Sequence, residues 1–117
     1  MKMDISVYVQ DIIESITRIE DYTRNVTEEE FYENTQVQDA VLRRLEIMGE
    51  AVKNIPDETK ERHKGIPWKE IAGLRDILIH GYFGVNLKRI WKVVKEDIPE
   101  LRVRILEVKR EIEGENA

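Results

Sequence analysis

Arg75, Asp76, His80 and Tyr82 are the residues of this 117-residue chain whose types and spacing best suit chemistry. His80 is one of only two histidines, the other being His63. Between Arg75 and His80 runs the apolar stretch Ile77-Leu78-Ile79, and Gly81 follows the histidine. A guanidinium can hold a phosphate bidentately and stabilise the charge that develops on it. An imidazole titrates near neutrality and can take or give a proton. Such a set suits phosphodiester cleavage without a metal, with the 2′-hydroxyl of RNA as the nucleophile. The plainer reading is a histidine bonded to a backbone carbonyl at a helix end, with an arginine paired to a carboxylate. Composition alone favours that plainer reading.

Helix geometry sharpens the choice. Five residues along a helix turn the chain by about 140°, so Arg75 and His80 share no face if one straight helix runs through both. If the helix ends near Ile79, as Gly81 suggests, His80 can swing to the rim. Otherwise a second subunit has to bring the two groups together. One motif histidine per chain also points to a two-fold dimer, because the reaction needs one group to accept a proton and another to donate one.

Other chemistries find less support. The chain has no cysteine, which removes disulfides and thiolate zinc sites. The two histidines fit no metal-binding helix face, and no cofactor is expected. There is no glycine-rich phosphate loop and no Gly-x-Ser-x-Gly. Ser6 and Ser15 fall inside the first helical segment, a poor place for a nucleophile. No apolar run reaches the ~18 residues of a membrane span, and the N-terminus lacks the shape of a signal peptide. A cytoplasmic protein is expected.

The elements follow from period. Charged residues make up 37% of the chain, interleaved with 41% hydrophobic residues, the pattern of a folded helical protein. Residues 1–39 carry three basic and ten acidic side chains, net −7; residues 86–112 carry eight basic and five acidic, net +3. Pairing between helices is the simplest reading of that asymmetry, with a local electropositive groove as the other. Ile5, Val9, Ile12, Ile16 and Ile19 mark a helix over residues 4–24. Thr27 and Glu30 form a capping box. A second long helix runs from about Thr35 to Asn54, with Asn34 and Thr35 as candidate caps. Pro56 stops it and opens a short turn or helix through about His63, which reads as a surface residue. Trp68, Ile71, Leu74, Ile77 and Leu78 give a third long helix beginning at Pro67. Asn86 can cap a fourth, which Pro99 kinks or splits near Asp97. Gly49 and Gly73 read as points where another backbone comes close. The expectation is one all-α domain over residues 1–117, with the ends 1–3 and 113–117 frayed. It is a bundle of four to five antiparallel helices with a short extra helix or turns.

Arg75-x4-His80 with polar Asp76 resembles the signature of HEPN-domain ribonucleases. Its extension through Tyr82, Arg-x4-His-x-Tyr, resembles the HepT toxins of the HepT/MNT toxin–antitoxin systems. The segments 44–51, 66–75, 81–85 and 97–101 resemble further landmarks of that family, in the same order. The resemblance implies a HEPN-type bundle, a homodimer with the motif at its interface, and metal-independent endoribonuclease activity on RNA. Carried over, His80 is the acid–base group, Arg75 binds phosphate and the transition state, and Asp76 supports the site. The family pattern often has Asn where this chain has Asp76. It further implies a nucleotidyltransferase antitoxin of the MNT type that neutralises the toxin by placing AMP on Tyr82. The rival reading is a non-catalytic helical module that binds a nucleotide or docks the transferase. Trp68 and Trp91 read as core, and Glu46 and Glu50 as solvated or dimer-seam residues. Arg43, Arg44, Lys88 and Arg89 are candidates for guiding RNA electrostatically.

Overall fold

The computed structural model describes residues 4–80 and 86–115, and of residues 75–80 and 115 the backbone alone. The chain opens with α1 (Ile5–Thr23), then α2 (Glu28–Glu33) and α3 (Thr35–Lys53). α4 (Asp57–Arg62), α5 (Trp68–His80), α6 (Leu87–Lys92) and α7 (Ile98–Glu115) follow. No strand interrupts this order among the described residues. The expected all-α bundle is the observed one, with α2 and α4 as its short additions.

Each helix start has a local cause. Asp4 accepts the Ser6 N–H at 2.9 Å and caps α1. Thr27 accepts the Glu30 N–H at 3.1 Å and donates its hydroxyl to Glu30 Oε1 at 3.1 Å. The carboxylate thus returns to the cap hydroxyl instead of the cap N–H. Asn34 caps α3 by accepting from Val37 at 3.0 Å. Asn86 caps α6 by accepting from Lys88 at 3.0 Å and Arg89 at 3.2 Å.

α3 lies between α1 and α5, and α1 also packs on α7. Val9, Ile12, Ile16 and Ile19 of α1 meet Val41, Leu45, Met48 and Val52 of α3 in one apolar core. Ile98, Leu101, Ile105 and Val108 extend that core into α7. Phe31 of α2 is fully buried and lies 5.2 Å from the Trp91 ring of α6, which locks α6 to the bundle.

The expected break at Pro99 takes a specific form. Residues 87–115 make one continuous rod in which Val93–Asp97 is a π-helical turn. The Ile98 N–H reaches back five residues to the Val93 carbonyl. Proline has no N–H to donate, and its ring crowds the carbonyl four residues earlier, here that of Lys95. A widened turn makes room for the ring without breaking the rod. α7 then continues to Glu115, beyond the point where fraying was expected. Among the described residues no helix is long and apolar enough to cross a membrane.

Candidate functional site

The start of α5 is firmly anchored. The Pro67 carbonyl accepts from Ile71 at 3.1 Å, so Pro67 sits one residue ahead of the helix. Ile66, Trp68 and Ile71 are buried. The indole N–H of Trp68 donates to the His63 carbonyl at 3.0 Å, as a core tryptophan should.

His63 corrects its expected role as a surface residue. Only 14% of its side chain is exposed, and its Nε2 lies 2.6 Å from Glu111 Oε2. The other oxygen of Glu111 is 2.7 Å from Nε of Arg62. His63 ends α4 at a bend that turns its ring toward α7, and its carbonyl receives Trp68. This histidine ties α4, α5 and α7 together.

α5 includes both Arg75 and His80. The helix therefore does not end at Ile79, and register separates the two residues by about 140° around the axis and about 7.5 Å along it. Arg75 stands about 40° from Ile71, whereas His80 stands about 20° from Gly73. Asp76 and His80 are four apart and share a face. Tyr82 lies outside the described residues, as do the side chains of Arg75, Asp76 and His80.

The two faces of α5 differ. Ile71 and Leu74 line a cleft of about 490 Å³ whose far walls include Leu45, Met48, Arg89 and Lys92. On the other side, a Cβ added at Gly73 would meet none of the described residues within 4 Å. The close packing expected at Gly73 is thus not made by the described residues. Arg75 falls beside the cleft, and His80 falls on the face that is open at Gly73.

The remaining candidates separate cleanly. Arg43 is bound to Glu46 at 3.3 Å. Glu46 and Glu50 border a groove of about 220 Å³ with Tyr8 and Asp11, on the α1 side of α3. Lys88, Arg89 and Lys92 are exposed and form no ion pair with any described residue. Lys92 was not among the expected groups. Its signal was present as four cations, Lys88, Arg89, Lys92 and Lys95, spaced among the apolar residues of one helix. Trp91 is half-buried, with Lys95 Nζ 4.7 Å above its ring. Among the described residues no three His, Asp or Glu converge to hold a metal ion.

Comparison with known proteins adds a family. A protein of Methanocaldococcus jannaschii, whose name pairs a gamma-glutamylcyclotransferase with a candidate RNase, is 50% identical over 97% of this chain. The chain spans about half of that relative, 51% of its length. A Thermococcus cleftensis protein named "probable ribonuclease HepT" is 51% identical over 87% of this chain and 93% of its own length. A second M. jannaschii protein, named as a candidate RNase, is 43% identical over 98% of this chain and 95% of its own. No solved structure gives a significant match. The family model described as ribonuclease HepT-like matches residues 12–108, which takes in α3, α5, α6 and the whole Arg75–Tyr82 motif, and the chain belongs to that family.

Proposed function

We propose that this chain is a metal-independent endoribonuclease of a toxin–antitoxin system, acting in the cytoplasm as a homodimer. The observation that carries this reading is the family match across the motif, joined to the register of α5. Arg75 and His80 stand about 140° apart on one helix, so a second copy is needed to bring an arginine and two histidines around one phosphate. The 2′-oxygen attacks phosphorus as one His80 takes its proton. The bond from phosphorus to the 5′-oxygen breaks, and the partner's His80 protonates the leaving oxygen. The products are a 2′,3′-cyclic phosphate and a 5′-hydroxyl. Arg75 balances the charge on the phosphoryl oxygens. Asp76, one turn before His80, holds the imidazole in its working orientation.

Tyr82 serves as the switch. A nucleotidyltransferase antitoxin of the MNT type places AMP on its phenol, the tyrosine oxygen displacing pyrophosphate from ATP. The added bulk and negative charge oppose binding of an anionic strand. The single experiment is RNA cleavage by His80→Ala and Arg75→Ala in excess EDTA, with the dimer checked for each. Parent protein cuts under these conditions, and each variant loses at least about 100-fold. Undiminished cutting by both variants would remove Arg75 and His80 from the catalysis, and a parent protein that does not cut would leave a non-catalytic docking module as the better reading. An intact-mass gain of one AMP localised elsewhere than Tyr82 would remove the switch assignment.

A further inference from the structure

We infer that the exposed face of α6, formed by Lys88, Arg89 and Lys92, is the track that receives the phosphate backbone of a single RNA strand and leads it to Arg75. The inference rests on the ribonuclease reading and names the surface that reading leaves unassigned. Three observations carry it. The first is how differently cations are used along the chain. Arg18, Arg24, Arg43, Arg62, Lys64, Arg102, Arg104 and Lys109 each hold a carboxylate within 4.0 Å. Lys88, Arg89 and Lys92 hold none among the described residues. Arg44, Lys60, Lys69, Lys95 and Arg110 hold none either, but only the α6 cations stand together on adjoining turns of one helix, in a chain of net charge −5. Three neighbouring unneutralised cations on such a protein are a local positive field, and a polyanion is the ligand they fit.

The second observation is position. Lys88 and Lys92 are four apart and share a face, with Arg89 one step around. Ile90 and Val94 point the opposite way into the core, and Phe31 packs on Trp91, so the cationic face is held rigid. The third is continuity. Arg89 and Lys92 form one wall of the same 490 Å³ cleft that Ile71 and Leu74 line from α5. Glu70, Asp97 and Glu100 also border it, Glu100 being paired with Arg104, so the positive field belongs to the α6 face and the cleft gives the strand only its way to α5. Arg75 follows Leu74 directly and lies about 40° from Ile71 in register. A strand lying along α6 and entering that cleft therefore passes the α5 register position that Arg75 occupies.

The test separates binding from cutting. The probe is an oligouridylate with methylated 2′-oxygens, which cannot be cleaved, and the protein is the full chain. For single strands the slope of log affinity against log salt is about −0.7 for each phosphate neutralised. The Lys88→Gln/Arg89→Gln/Lys92→Gln variant should flatten that slope by about 2 and raise the KM for cleavable RNA more than it lowers kcat. Arg110→Gln, on an exposed part of α7 about 27 Å along the rod from Lys92, should leave the slope unchanged. An unchanged slope in the triple variant overturns the inference, and if parent protein still cuts RNA the ribonuclease reading survives it. Parent protein that neither binds nor cuts RNA overturns both. Polyglutamate competing as well as RNA of equal charge would assign the face to an acidic protein and overturn the RNA track.

Discussion

Arg102 and Lys92 lie on the same helical rod, ten residues apart, yet their surroundings are opposite. Arg102 reaches across to α1, where its Nε donates to Glu20 Oε1 at 2.7 Å and its second nitrogen also bonds Glu20 and, at 3.1 Å, Thr17. Arg104 and Lys109 pair with Glu100 and Glu113 on their own helix. Lys92 and its neighbours on α6 pair with nothing described. The π turn between Val93 and Asp97 separates the clustered unpaired cations of α6 from an α7 on which only Arg110 is left without a carboxylate among the described residues. α7 lies against the acidic N-terminal third, so its charges help complete the fold. α6 is held by apolar contact instead, which leaves its charges available for a ligand.

That contrast is most exposed to Phe31→Ala. Phe31 is fully buried and carries the contact to Trp91. Truncating a buried phenylalanine costs about 3–5 kcal/mol. Chemical denaturation should show a loss in that range. A loss below about 1 kcal/mol would mean that apolar packing is not what seats α6.

Arg102→Met probes the other half. Both partners of the Arg102–Glu20 pair are about one-third exposed, 37% and 31%, so solvent screens much of the attraction. The expected loss is about 1 kcal/mol, shrinking as salt is added. The triple glutamine variant of α6 should stay within about 0.5 kcal/mol of parent. If it destabilises the fold as much as Arg102→Met, α6 is spending its cations on the fold as well, and the contrast collapses.

The parts of this contrast that could be read beforehand are the local ones. Thr27, Asn34 and Asn86 act as caps because a cap needs only its own next three residues. The apolar stripes of α1 and α3 lie where a 3.6-residue period puts them. The Glu111–His63 and Arg102–Glu20 bonds were not legible, since they join residues 48 and 82 positions apart. Such pairs depend on how far each helix is rotated about its axis, which period fixes only to within a residue. His63 was misjudged for that reason. Pro99 announced a disturbance, but whether a helix breaks or widens into a π turn depends on the packing of Val94 and Ile98 beneath it. At the site, residue types and the 140° separation came from sequence. The open space at Gly73 and the cleft beside Leu74 needed the packed helices.

Gly73→Ala carries the smallest effect and the finest discrimination. A glycine inside a helix costs up to about 1 kcal/mol relative to alanine, and here the added methyl meets none of the described residues within 4 Å. Measured on dilute monomer, the variant should therefore be more stable than parent by up to about 1 kcal/mol. Gly73 shares a face with His80, two turns later, and a dimer that assembles the motif brings a second copy toward that face. A methyl group placed where another backbone must approach opposes the contact. Sedimentation should then show weaker self-association alongside the gain in monomer stability. A gain in stability with unchanged association would mean that the second copy docks elsewhere. The face on which His80 falls in register would then lie outside the seam between copies, which removes the geometric basis for a composite site.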